Sequence, residues 1–205
     1  MKVVEVFADV WCPFTHVGLR RLVDERTERG RDDVVFWVRA WPLELVNGAP
    51  LAADFVGEEI EALRSTVAED LFHGFVPSRF PHTTLPALSL VARAYGRGHR
   101  TGEAVSLAVR TALFEEGRDI GDPNELATIA KSFDVGATHL DADTTVSDDW
   151  HEGQARGVLG SPYFVVDKQG FFCPTLKISH VGDELEVEID VDAFEAFVAT
   201  IFDQG

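Results

Sequence analysis

The sequence predicts an α/β fold in which a parallel strand–helix–strand unit is followed by an all-helical insertion between the second and third strands. Three observations carry that prediction. The β-rich run Val3–Val10 leads to Cys12, and Pro13 then opens a segment whose apolar positions Val17, Leu19, Leu22 and Val23 fall on one helical stripe. A second β-rich run, Val34–Trp41, ends at Pro42, and two strands joined by one helix make a right-handed parallel unit. Helical apolar spacing then dominates until a strand pattern returns at Tyr163.

Taken in order, the first helix runs to about Arg29, with Gly30 as its stop signal. Turn formers dominate Pro42 to Pro50, which marks the start of the insertion. Helical spacing covers Glu58–Val67, Leu85–Tyr95, Ala104–Phe114 and Asn124–Phe133, with glycines punctuating the joints. Asp122-Pro123-Asn124-Glu125 is a helix-start signature, a cap followed by proline and an acidic first turn. A last insertion helix spans about Thr145–Arg156, and Gly157–Ser161 returns the chain to the sheet. Tyr163–Val166 reads as a strand, and Asp167-Lys168-Gln169-Gly170 as a hairpin turn into Phe171 and Phe172. A strand at Leu185–Ile189 then precedes a closing helix, Val191 to about Phe202, with Phe194, Phe197, Val198 and Ile201 inward. The implied organisation is one domain formed by 1–45 and 157–205, with 46–156 as an inserted helical subdomain.

Composition narrows the function classes. With 35 acidic against 18 basic residues the formal net charge is −17, a field that repels nucleic acid and anionic membrane surfaces. Nucleic-acid and membrane partners are therefore excluded, and the acidity reads as a solvated surface. No stretch reaches transmembrane length, and no secretory leader is visible, so the expected location is cytoplasmic. Two cysteines do not make a disulfide framework, which fits a reducing compartment.

The chemistry concentrates at Cys12. A strand that delivers a cysteine to a helix start places it against backbone N–H groups that lack intrahelical partners and carry partial positive charge. Thiols in such settings have pKa values lowered from about 8.5 to roughly 3.5–7.5, and the thiolate is the nucleophile. The alternative for Cys12 is a small buried hydrophobe. Thr15 lies one turn further on, close enough to donate a hydroxyl hydrogen bond to the thiolate, or else faces solvent. His16 shares a helix face with Cys12, but no second pair at metal-ligand spacing exists, so no metal is expected. Cys173 is expected some two pairs along the hairpin ladder from Pro162, hence about 7 Å or more further off, as a buried thiol that does not reach Cys12.

Trp11-Cys12-Pro13-Phe14-Thr15 at a helix start, Gly160-Ser161-Pro162-Tyr163-Phe164-Val165-Val166-Asp167 near the C-terminus, and the helical run Ala112–Ile120 with Glu125–Ala130 together resemble the DsbA-like branch of the thioredoxin superfamily. The resemblance covers nearly the whole chain and implies a thioredoxin fold interrupted by helices. It also implies a cis peptide bond at Ser161–Pro162 facing Cys12, so that the Ser161 backbone can pair with an extended peptide or a thiol cofactor. Trp11, Pro13 and Phe14 are then substrate-contacting residues, with His82 a further candidate because its segment lines the cleft in relatives. One departure matters: the second cysteine of the redox motif is replaced by Thr15, so a disulfide within that motif is impossible. Relatives without the pair, kappa-class glutathione transferase and 2-hydroxychromene-2-carboxylate isomerase, carry serine at the first position and act on a bound glutathione thiol.

Three functions follow. The first is a one-cysteine thiol-disulfide oxidoreductase in which Cys12 attacks a disulfide or mixed disulfide and an external thiol resolves the adduct. The second is a transferase or isomerase in which Cys12 or Thr15 polarises the sulfur of a thiol cofactor. The third is a non-catalytic binding module with the same fold. No tightly bound cofactor is expected. A low-molecular-weight thiol is the expected co-substrate, a disulfide-containing or small molecule the expected partner, and the resemblance leaves a homodimer open.

Overall fold

The computed structural model describes residues 1–142, 144–181 and 184–203. The last two residues of the domain expected from 1–45 and 157–205, and the side chain of His180, lie outside that description. Strand β1 (Lys2–Ala8), helix α1 (Pro13–Glu28) and strand β2 (Val34–Ala40) form the predicted parallel unit, paired in register from Lys2 with Val34 to Ala8 with Ala40. Gly30 ends α1 with φ of 61°, a value at which a side chain would be strained.

Strand β3 (Tyr163–Val166) returns antiparallel against β1, and β4 (Gln169–Phe172) completes a four-stranded sheet of order β2-β1-β3-β4. Between β2 and β3 lie α2 (Leu43–Asn47), α3 (Ala53–Thr66), α4 (Leu85–Tyr95), α5 (His99–Phe114), α6 (Pro123–Ser132) and α7 (Thr145–Ala155). After the sheet, β5 (Lys177–Val181) and β6 (Glu184–Glu188) form a separate hairpin that packs on α3, and α8 (Val191–Phe202) closes the chain. This is the thioredoxin arrangement with a helical insertion.

Several features differ from the sequence reading: β5 is a strand where none was expected, and α3 and α5 each begin five residues before the expected Glu58 and Ala104. Residues 43–47 are helical rather than turn: Pro42 leads in with extended backbone and Gly48 stops the helix at φ of 70°. Five residues are too few for a periodicity to show. The hairpin turn is also tighter than expected. Asp167 and Lys168 alone make it, both at positive φ, so Gln169 and Gly170 already belong to β4. Tyr163 therefore pairs with Phe172, and Cys173 comes level with Pro162.

One face of the sheet is covered by α1 and α8, through Val4, Val6, Leu19, Leu22, Phe164, Phe197 and Ile201. The opposite face carries Phe7, Trp41 and Val165 beneath α7. Helix α7 comes close because Gly153 has no side chain: a Cβ there would lie 2.6 Å from the Trp41 ring. The edge strand β2 is closed by insertion side chains. Glu103 accepts from the Phe36 N–H, the Tyr95 hydroxyl accepts from Val38 N–H and donates to the Phe36 carbonyl, and Asp149 accepts from Ala40 N–H. An edge so occupied offers no template for another strand. Arg39 ties α7 down further, donating to Asp149 and Glu152 from beneath.

The largest apolar cluster joins the insertion to the start of α1. It runs from Ile60, Leu63, Leu88, Val109 and Phe114 to Trp11, Cys12, Phe14 and Val17. Cys12 thus sits where the sheet, the insertion and the terminal hairpin meet.

Candidate active site

The site begins where β1 ends. Asp9 is fully buried and organises the turn: one carboxylate oxygen accepts from Trp11 N–H at 3.4 Å, the other from Leu43 N–H at 2.6 Å. Its own N–H donates to the Ser161 hydroxyl at 3.0 Å. Burial pushes the Asp9 carboxyl up to about 6, against the opposing pull of the Leu43 N–H, the Thr84 hydroxyl, the Trp11 N–H and Arg110.

Cys12 follows as the N-cap of α1, in extended backbone, with Pro13 as the first helical residue. Its thiol donates to the Ser161 carbonyl at 3.2 Å, and its carbonyl accepts from His16 N–H at 3.2 Å. The Ser161–Pro162 peptide bond is cis. The Thr15 side chain is completely buried, and its hydroxyl shares a 3.0 Å hydrogen bond with the Ser161 hydroxyl. Thr15 is therefore a member of the Cys12 environment, not a surface residue.

The expected lowered thiol pKa is corrected by the structure. Cys12 is only 3% exposed, and burial raises its pKa above the ordinary value despite hydrogen bonds from Ser161 and Thr15. A helix end stabilises a thiolate by local charge, whereas the surrounding apolar cluster withdraws the water that would solvate it, and here withdrawal dominates. The carboxylate of Glu59 adds to the same upward push.

A cavity of about 680 Å³ opens on Cys12. Pro13, Phe14 and Ser161 line it, and α2, α3 with Leu51 between them, Phe172 of β4 and the β5–β6 hairpin supply the rest of the wall. Trp11 does not line it: its ring is fully buried and stacked on Phe80 at 5.3 Å. Pro162 is buried behind Ser161, and His82 is exposed outside the cavity. His16 turns the other way, to Glu115 at 2.6 Å and between the rings of Phe72 and Phe114. Among the described residues no three His, Cys, Asp or Glu side chains are grouped to hold a metal.

Cys173 is nearer than the sequence reading placed it. Its N–H donates to the Pro162 carbonyl at 3.0 Å, directly beside the site, because the two-residue turn shortens the ladder. It remains a free, buried thiol, pushed up to about 12 by burial and by its proximity to Cys12.

Besides Asp9, two further charged residues were missed altogether. Arg110 is fully buried in α5, and its Nη1 donates to the Asp9 carbonyl at 2.6 Å. Burial lowers its pKa to about 10, while Cys12 and Asp9 oppose the loss of charge. Glu59 faces the cavity from α3, and burial alone pushes it up to about 7. Each carried a readable signal. Arg110 falls on the apolar stripe of α5 with Val109 and Leu113, and Phe55, Glu58, Glu59 and Ala62 repeat with helical spacing beside the core stripe Val56, Ile60 and Leu63.

The arrangement matches known folds over most or all of the chain. A cytosolic disulfide reductase, DsbM, from Pseudomonas aeruginosa superposes with a TM-score of 0.65 at 15% identity, covering 97% of each chain. A probable DsbA oxidoreductase from Streptomyces coelicolor gives 0.66 at 19% identity, covering 100% of this chain and 92% of that one. A 2-hydroxychromene-2-carboxylate isomerase gives 0.60 at 14% identity, covering 83% and 88%. At these identities the likeness shows the fold. No curated protein matches the sequence. The family model of the DSBA-like thioredoxin domain matches residues 3–186, and the chain belongs to that family.

Proposed function

We propose that the chain is a one-cysteine thiol-disulfide oxidoreductase with Cys12 as its nucleophile and Thr15 as a hydrogen-bonding neighbour. The observation that carries this reading is the position of the Cys12 thiol: at the start of α1, hydrogen-bonded to the Ser161 carbonyl, and at the floor of a cavity large enough for a small substrate. Family membership supports thiol-disulfide chemistry, and Thr15 removes the internal resolving thiol of the motif.

The chemistry needs no further group. The Cys12 thiol loses its proton to solvent or to the departing thiolate, attacks one sulfur of a disulfide, and forms a mixed disulfide as the other sulfur leaves. An external low-molecular-weight thiol then attacks the adduct, releasing Cys12 as thiolate and carrying the substrate half away as a new disulfide. The Ser161 and Thr15 hydroxyls and the buried Arg110 charge favour the thiolate in both steps, whereas the bond to the Ser161 carbonyl holds the resting thiol. A reducing compartment such as the cytoplasm suits this cycle, since it maintains the resolving thiol.

A second reading draws on the raised Cys12 pKa. A thiol that stays protonated can donate a hydrogen bond to the sulfur of a bound thiol cofactor, as a transferase or isomerase would require. Mass spectrometry of the reduced protein after exposure to small disulfides separates the two. A mixed disulfide on Cys12, absent in Cys12→Ser and discharged by added thiol, supports the oxidoreductase. Saturable activation by a thiol with no adduct overturns it.

A further inference from the structure

The wall of the cavity opposite Cys12 has a charge pattern that the oxidoreductase reading does not use. Phe55, Leu51, Ile178 and Leu185 make it apolar, and its charged members among the described residues are Glu58 and Glu59. No lysine, arginine or histidine is among its described lining residues. Glu58 and Glu59 have no hydrogen-bond or ion-pair partner among the described residues; Glu58 is exposed at the cavity rim, and Glu59 is half-withdrawn from solvent.

A carboxylate held in an apolar wall without a counter-charge is costly to keep ionised, and the raised Glu59 pKa reflects that cost. A ligand that brings a cation or a hydrogen-bond donor to this position relieves it. A ligand that brings a second anion adds repulsion beside an apolar wall, where screening is weaker than in bulk water. The other ionisable groups near Cys12 do not reverse this sign. Asp9 is acidic, Cys173 is a buried neutral thiol, and Arg110 is buried behind the site on the Asp9 carbonyl and does not line the cavity.

We infer that the cavity selects a small thiol or disulfide with an apolar body and an amine or other cationic group seated against Glu58 and Glu59, and that it discriminates against anionic thiols. Glutathione, net anionic because its two carboxylates outweigh its one ammonium, belongs to the disfavoured class, although the Pseudomonas aeruginosa protein of similar fold has a structure with GSH. The inference rests on the reading of Cys12 as the reactive thiol of this cavity, and it names the substrate class that reading leaves open.

Methanethiosulfonate reagents test the charge preference without requiring turnover. Each transfers its thioalkyl group to a thiolate, forming a mixed disulfide while methanesulfinate leaves, so modification reports access to Cys12 alone. Rates for the trimethylammonium-ethyl, methyl and sulfonatoethyl reagents are measured on the full chain at 0.15 M salt, with the modified peptide identified by mass. Each is divided by its rate with 2-mercaptoethanol. The expected order is cationic, neutral, anionic, with the cationic reagent about tenfold or more ahead of the anionic one. Glu59→Gln should shrink that ratio severalfold and Glu58→Gln by less, with the neutral reagent confirming an intact site in each variant.

A ratio near one, or one that favours the anion, overturns the inference. So does a ratio that persists unchanged in the Glu58→Gln, Glu59→Gln double variant, because it would then belong to the overall charge of −17 rather than to the cavity. Comparing cystamine with oxidised glutathione separates this inference from the reading beneath it. If neither disulfide is exchanged while the reagent ratio holds, the oxidoreductase reading fails and the charge preference stands. If both are exchanged equally and the ratio is flat, the reverse is true.

Discussion

Cys12 and Arg110 hang from the same carbonyl. The Asp9 carbonyl oxygen accepts from Cys12 N–H at 3.4 Å and from Arg110 Nη1 at 2.6 Å, so a fully buried guanidinium is fixed two hydrogen bonds from the backbone of Cys12. Its Nε and Nη2 have no partner among the described residues. A buried cation in that position opposes the penalty that burial places on the Cys12 thiolate.

Replacing Arg110 should therefore act on chemistry as well as stability. In Arg110→Met the alkylation rate of Cys12 is expected to titrate at higher pH than in the parent, with stability falling by about 1–3 kcal/mol as the buried Asp9 carbonyl loses its donor. Arg110→Lys keeps the charge and should recover much of the pH profile. The measurement is iodoacetamide modification against pH, and coincident profiles for all three proteins would reduce Arg110 to a structural role.

Ser161 joins three groups, and its hydroxyl accepts the N–H of buried Asp9. Ser161→Ala should cost about 1–3 kcal/mol in urea denaturation, the price of an orphaned buried donor. Thr15→Val leaves the Asp9–Ser161 bond intact and should cost less, about 0.5–1.5 kcal/mol. Equal losses would mean that the Thr15 hydroxyl matters as much as the backbone donor.

Restoring the second motif cysteine tests the placement of Cys12 at the helix start. Thr15→Cys should form an internal, reducible disulfide under mild oxidation, read as the loss of two hydrogens by mass and as protection of Cys12 from alkylation. Failure to close would contradict the position of residue 15 one turn along α1.

Glu59 makes a pH prediction. Its pKa is about 7 in the fold against 4.5 when unfolded, so the folded state holds the proton more tightly, and stability falls as pH rises through that interval. Asp9 acts in the same direction between 3.8 and about 6. Glu59→Gln removes one of these penalties. It should be more stable than the parent at pH 8, by at most about 3 kcal/mol, and equal to it near pH 4. Guanidinium melts at the two pH values decide this, and a variant less stable at pH 8 would show that the carboxylate has a favourable partner.

Much of the fold was legible because its signals are local. The strand, the Cys12–Pro13 junction and the helix periods depend on neighbours within a few positions, and the observed α1, α4 and α6 start or stop within two residues of the pattern. The short α2 was invisible for want of length. Cys173 was misplaced because a four-residue turn was assumed where two residues suffice, and in a ladder that changes the partner of every later residue.

By itself the sequence determined the α/β class, the helical insertion, the cysteine at a helix start and the loss of its motif partner. It also contained the acidic excess, but not where that charge would act. Only the tertiary structure decided how the site titrates and what it faces. Asp9, Arg110, Glu59 and Ser161 are separated by up to 152 positions, and they meet because burying the apolar faces of the sheet and insertion brings them together. Titration and charge preference depend on solvent withdrawal and on distances between those groups, which no local pattern in the chain encodes.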